Sequence, residues 1–156
     1  MVSLPIIGRK DKADFPSLEI KSLDVKIDSG AYSCSIHCDQ IEVVERDGKD
    51  VLEVIFLDKD HPKYTGKKFY FEHFKKKKVK SSTGYQQERY FIPLEVSLFG
   101  KVFVTDFSLT SRNGLRNPVL LGRKLLNKQF LIDSSQMNLS HKLMKSKLKN
   151  INTKHS

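Results

Sequence analysis

Lys26-Ile27-Asp28-Ser29-Gly30-Ala31 is the stretch on which the reading of this chain turns. Leu23, Val25 and Ile27 alternate with Asp24, Lys26 and Asp28, the period-two pattern of a half-buried strand, so a carboxylate is delivered at a strand end. The small residues after it permit a sharp turn, and Gly30 can take positive φ without steric cost. Asp-x-Gly is also common turn chemistry. The stretch gains meaning only from its companions elsewhere in the chain.

Upstream, residues 6–10 form a short apolar-to-basic lead, followed by a polar turn region up to Pro16. Leu18 and Ile20 open the strand that ends at Asp28. After the turn, residues 32–41 resume an extended pattern that puts Cys34, Ile36 and Cys38 on one face and Ser35 and His37 on the other. Asp47-Gly48 is a strong hairpin signal, and residues 51–57 are the returning strand. Residues 58–68, with Pro62 and Gly66, read as loop. Residues 69–92 read as one long hairpin with its tip near Thr83-Gly84.

Tyr90, Ile92, Leu94, Val96 and Leu98 alternate cleanly, with Pro93 placing this strand at an edge or bulge. Phe99-Gly100-Lys101 turns into a further strand over residues 101–109. Residues 124–128 form the one convincing helical turn, ahead of a last short strand at 130–133. Many short strands, one brief helix and Gly-marked turns predict an all-β fold, a small barrel or sandwich.

Length and composition bound the rest. A chain of 156 residues is one domain with a real core. No run approaches the roughly 18 apolar residues of a membrane span. Residues 1–10 lack the apolar core of a signal peptide, so the expected location is cytoplasmic. Two cysteines are too few for a disulfide framework. The net charge is +10, but residues 134–156 hold five lysines and no acid, leaving +5 for the body. We therefore divide the chain into a domain over 1–133 and a basic, mobile tail over 134–156. A second basic run, residues 75–78 with Lys80, reads as a solvated lysine-rich surface. It lacks the arginines and interleaved aromatics of nucleic-acid recognition.

The early Asp28-Ser29-Gly30-Ala31 turn and the late Leu120-Leu121-Gly122-Arg123 segment, followed by a short helix, together resemble the retropepsins. The similarity is closer to a prokaryotic retropepsin-like group labelled ATP-dependent zinc proteases and associated with ATP-grasp ligases. It is carried by Ile7-Gly8-Arg9-Lys10, the Asp28 stretch, Ser35, His37, residues 79–84, Glu88-Arg89-Tyr90, Leu109-Thr110 with Arg112-Asn113, and residues 118–123 and 130–133. The resemblance implies a small closed β-barrel with one short C-terminal helix, paired as a two-fold dimer. It also implies an aspartic endopeptidase in which Asp28 of each subunit supplies one of two carboxylates sharing a proton. Ser29, Gly30, Ala31, Leu121, Gly122 and Arg123 would support that turn, and Ser82, Thr83 and Gly84 would form a substrate-binding flap. In retropepsins the arginine often pairs with an acid just after the turn; here Tyr32 stands there, leaving Asp24 or Glu88 as guesses for a partner.

No cofactor is expected. The chain has neither a His-Glu-x-x-His motif nor a phosphate-binding Gly-x-x-x-x-Gly-Lys-Ser/Thr loop. In an extended strand Cys34 and Cys38 would lie roughly 13 Å apart with His37 facing the other way, so no metal site is expected. The expected partners are a second copy and a peptide or protein substrate, with no membrane and no nucleic acid; association with peptide-ligating enzymes implies a substrate that contains glutamate. The alternatives are a non-cutting dimeric peptide-binding module on the same fold and a basic nucleic-acid-binding β-barrel.

Overall fold

The structure, a computed structural model, describes residues 3–80, 84–111 and 117–154. In chain order the elements are β1 (Ile6–Ile7), β2 (Lys10–Phe15), a 3-10 turn (Pro16–Leu18), β3 (Ile20–Ile27), β4 (Cys34–Arg46), β5 (Lys49–Phe56), β6 (Lys68–Phe71) and β7 (Lys75–Lys80). Next along the chain are β8 (Gln86–Leu98), β9 (Lys101–Thr110), β10 (Val119–Leu121), α1 (Arg123–Leu126), β11 (Leu131–Ile132) and α2 (Leu139–Lys154).

The fold is mostly β, as the sequence implies. Strands run β10-β3-β2-β8-β9-β4, and β10 pairs with β4 as well as β3, so these six close into a ring. β10 makes the closure by lying parallel to β3 (Leu121↔Ile27) and antiparallel to β4 (Leu120↔Ser35). The interior is filled by inward-facing residues such as Phe15, Leu23, Ile36, Ile92 and Phe107, all essentially inaccessible to water. Phe15 and Phe107 meet edge to face with centroids 5.8 Å apart. β5 and β6 extend β4 into an arm outside the ring, while β7, among the described residues, pairs with β8 alone.

Two turns have the chemistry their residues demand. Asp47-Gly48 joins β4 to β5 and Phe99-Gly100 joins β8 to β9, with positive φ at all four residues, the signature of tight two-residue hairpins. Pro93 sits inside β8 because, on the side facing away from β9, it falls between the stretch that pairs with β7 and the residue that pairs with β2. No neighbour needs its missing N–H there.

The structure departs from the sequence reading at Leu18, which closes the 3-10 turn instead of opening β3, and in three larger places. Residues 69–92 are not one hairpin: only β7 and β8 form it, and residues 68–71 pair with β5. The cause is aromatic packing, since Phe69 and Phe71 both set edge to face on Phe56. The polar region before Pro16 is the strand β2, whose inward positions are Asp11, Ala13 and Phe15. Finally, one short helix becomes two, because residues 139–154 form α2 rather than featureless chain.

The last two departures have one origin. Asp11 is 1 % exposed, and its carboxylate accepts the backbone N–H groups of Ser140 (2.9 Å), His141 (3.1 Å) and Lys12 (2.8 Å). It thus satisfies donors that a helix N-terminus leaves open. Ser140 Oγ in turn accepts the Phe99 N–H at 2.8 Å. Just upstream, the Gln136 carbonyl accepts the Arg9 N–H at 2.8 Å, over Gly8, where any Cβ would collide with that carbonyl. Among the described residues no helix is long and apolar enough to cross a membrane.

Asp11→Ala should remove the cap and leave buried donors without acceptors. We expect a loss of about 2 kcal/mol in unfolding free energy by urea titration, with hydrogen-exchange protection falling first at residues 140–145.

Candidate active site

β3 carries Asp28 out of the ring, and β10 arrives alongside to hold the turn over residues 28–31. The Asp28 N–H donates to Leu121 O at 2.9 Å, continuing the β3–β10 ladder one residue past the strand. The chain then reverses: Ala31 N–H returns to Asp28 O at 3.2 Å, and Gly30 N–H donates to Asp28 Oδ1 at 3.0 Å. One carboxylate oxygen is thereby fixed by the turn itself. Asp28 is half-buried, while Ser29 and Gly30 are exposed.

The Leu121-Gly122-Arg123 segment grips this turn from below. Arg123 and Lys124 donate their N–H groups to Ala31 O and Tyr32 O, each at 2.9 Å. At Gly122 a Cβ would come within 2.5 Å of Ser33 O and 2.7 Å of Tyr32 O, so only glycine admits this approach of backbone to backbone. Its N–H points at Cys34 Sγ, 3.4 Å away. Arg123 Nη1 donates to Ser29 O at 2.9 Å, with the guanidinium 5.9 Å from the centroid of the Tyr32 ring. Neither Asp24 nor Glu88 serves it: Asp24 pairs with Lys12 and Glu88 with Lys76. The arginine holds a main-chain carbonyl and an aromatic face in place of an acid.

Beside the turn opens a cleft of about 440 Å³. Its walls include Gly30, Tyr32 and Ser35 on one side, Leu120 and Arg123 below, and Val79, Lys80, Arg89 and Phe91 from the β7–β8 hairpin. Ser35 and Ser108 face each other across β4 and β9 in register, and both line it. Of the expected flap, Gly84 is exposed with φ +86° and open space around it; Ser82 and Thr83 lie outside the described residues, as do Arg112 and Asn113. The structure therefore brings together Asp28, Ser29, Gly30, Ala31, Leu121, Gly122 and Arg123. It adds Tyr32, Arg89 and Ser108, to which the sequence assigned no role. The signal for Arg89 was its alternation with Phe91, which puts both on one face of β8.

The residues present do not fit a zinc site. No group of three or more His, Cys, Asp or Glu side chains converges among the described residues. Cys34 and Cys38 point into the core from β4. His37 is also buried, its Nδ1 without a hydrogen-bond partner among the described residues, and no second and third ligand stands near it there. Burial pushes both thiols up from their ordinary values, which keeps them protonated at neutral pH and unsuited to act as thiolate nucleophiles.

A strand-borne Asp-Ser-Gly-Ala turn, clamped from below by an apolar-Gly-Arg segment and a short helix, defines a retropepsin-like protein. More narrowly, the chain belongs to the RimB-like family, described as the retropepsin-like aspartic endopeptidase RimB, whose pattern matches residues 6–142. The match runs past Asp133 into α2. The chain is also similar to a crystal structure of a protein of unknown function from Legionella pneumophila, with a TM-score of 0.68 and 26% identity over 88% of this chain and 99% of that one. Among curated proteins it is 29% identical over 135 residues to a probable alpha-L-glutamate ligase of Shewanella pealeana, covering 84% of this chain and 29% of the relative. A protein of the same name from Desulfotalea psychrophila is 27% identical over 132 residues, covering 85% and 28%. The chain thus spans under a third of the length of these relatives.

Two outcomes test the geometry of the turn. Gly122→Ala should force Tyr32 and Ser33 apart from β10 and cost about 1–3 kcal/mol of stability, read as a lowered thermal midpoint. An alkylating reagent at pH 8 should modify neither cysteine in the folded protein and both in denaturant, scored by intact mass.

Proposed function

We propose that this chain is an aspartic endopeptidase that works as a homodimer and cleaves peptide bonds in glutamate-containing peptides. The observation that carries the reading is the Asp28 turn: a single half-buried carboxylate on a turn whose Gly30 and Ala31 border a cleft, held by the Gly30 N–H and by the segment over residues 121–123. Acid-protease chemistry needs two such groups, and each chain supplies one turn of this kind. Membership of the retropepsin-like family supports pairing about a two-fold axis.

In such a pair one Asp28 carboxyl would act in its ionised form and the other in its protonated form. The ionised one takes a proton from a water molecule as its oxygen attacks the scissile carbonyl carbon. The protonated one gives its proton to the carbonyl oxygen, forming a neutral gem-diol. Collapse breaks the C–N bond as the nitrogen gains a proton, and a carboxylic acid and an amine leave. In this mechanism Gly30 N–H orients one oxygen of each carboxylate, and Arg123, by holding Ser29 O, keeps the turn from yielding when substrate enters.

A surface suited to the second copy lies next to the turn. β1 and β11 form a small parallel sheet that leaves Ile6, Leu131 and Ile132 substantially exposed. This sheet leads directly into the site, since the Arg9 carbonyl accepts the Ile27 N–H at 2.9 Å. Covering those side chains with a partner would stabilise association through apolar burial. The glutamate preference draws on the curated relatives, named as probable alpha-L-glutamate ligases, in which a segment similar to this chain accompanies a larger remainder. A hydrolase beside a ligase of that name would act on linkages of the kind the ligase makes.

Cleavage of glutamate-rich peptides, followed by mass spectrometry, should be lost by about 10³-fold or more in Asp28→Asn. Specific activity should also fall on dilution as dimers dissociate. Wild-type protein that binds these peptides across pH 3–8 yet never cuts them would instead identify a peptide-binding module on the same fold.

A further inference from the structure

We propose that the free edge of β7 is a docking site for an extended acidic segment of a polypeptide, which adds to the hairpin as a further strand. The inference rests on the peptidase reading only in taking a peptide to be what the neighbouring cleft holds. The docking itself is argued from the strand.

β7 runs beside β8 over its whole length, from Lys75 opposite Phe91 to Lys80 opposite Gln86, and among the described residues no strand lies on its other side. Its four consecutive lysines and Lys80 are all exposed. Such an edge presents unpaired N–H and C=O groups at the spacing another strand needs. The lysines disfavour one pairing in particular: a second β7 laid against the first sets cation opposite cation, which costs stability. The same side chains favour a strand of opposite charge.

Alternation decides what kind of anion fits. Lys75 and Lys77 project to one face of the strand, and Lys76, Lys78 and Lys80 to the other. A nucleic acid or a membrane lying against either face meets at most three of the five. A peptide strand beside β7 alternates in step with it, so a run of adjacent acids meets lysines on both faces. Within the chain the run is only partly matched. Lys76 Nζ is 3.1 Å from Glu88, and Lys75 Nζ is 4.0 Å from Asp106, which also takes Lys124 at 3.4 Å. Lys77 reaches over the Phe91 ring, 5.2 Å from its centroid. Among the described residues Lys77, Lys78 and Lys80 have no acidic partner.

Position points the same way. Val79 and Lys80, at the end of β7, line the cleft beside the Asp28 turn, so a strand paired along residues 75–80 leads into that cleft. At ~3.3 Å per residue the edge is about 17 Å long, which accommodates about six residues of an added strand.

The net charge of +10 would draw any polyanion to this protein, so the test must separate a paired strand from a diffuse field. Asp28→Asn protein, in which binding is read without turnover, is titrated with a labelled peptide of six consecutive glutamates at 0.15 M salt, roughly the physiological value. Two further peptides carry N-methyl groups on alternate amides, one in each register. Successive N–H groups of a strand point to opposite edges, so one register faces β7 and the other faces water. We expect one methylated peptide to bind at least about tenfold more weakly and the other to match the parent. Lys78→Gln with Lys80→Gln should weaken binding about three- to tenfold. Lys142→Gln with Lys145→Gln on α2 removes the same charge and should leave binding unchanged. The proposal is overturned if the parent peptide does not bind, if the two methylated registers bind alike, if the α2 pair costs as much as the β7 pair, or if an oligonucleotide with six phosphates binds more tightly than the peptide. Failure of wild-type protein to cut a glutamate peptide would count against the peptidase reading while leaving this docking, measured by binding, in place.

Discussion

The insertion of β10 between β3 and β4 is the constraint on which the rest depends. Three residues, Val119 to Leu121, pair with strands on both sides and close the ring. The ladder they begin is extended by the Asp28 N–H reaching Leu121 O, so the same contact that closes the fold also sets where the carboxylate stands. Because Gly122 then passes against the Tyr32 and Ser33 carbonyls without room for a side chain, the turn and its support behave as one rigid piece. Stability and site geometry here share their hydrogen bonds, and neither can be altered alone.

Much of this was legible in the sequence because it rests on local patterns. Alternation located β3, β4, β8 and β9, and Asp47-Gly48 and Phe99-Gly100 announced hairpins whose φ values bear them out. The pairing of the Asp28 turn with the Leu-Leu-Gly-Arg segment pointed to the family that the chain proves to belong to. What escaped were contacts that no window of sequence contains. Asp11 read as a solvated turn residue, yet it is buried because its acceptors serve N–H groups about 130 positions later. Without that distant cap α2 shows only scattered apolar residues among lysines. The partner of Arg123 escaped for a different reason. A guanidinium is usually matched to an acid, and here it takes a carbonyl and a ring.

The β7–β8 hairpin shows how composition alone misleads. Counted as residues, its lysines describe a polar surface of little consequence. Resolved by register, they divide between two faces: Lys76 and Lys78 share one with Glu88, which receives Lys76, while Lys75 and Lys77 share the other with Phe91 and Arg89. The same period of two that reveals a strand in a sequence also assigns its charges to sides, but only once the pairing partner is known.

The clamp on the Asp28 turn has a consequence for how the protein comes into being. Ser29 and the arginine that holds its carbonyl are separated by 94 positions. At ordinary rates of synthesis, the chain spends roughly 5–20 s with its Asp28 turn made but unsupported. During that interval β3 has no β10 beside it and the ring cannot close. A nascent chain therefore carries the Asp28 carboxylate on a turn that nothing yet holds in place. The order of residues along the polypeptide thus acts as a timer, delaying assembly of the turn with its clamp until translation has passed Arg123.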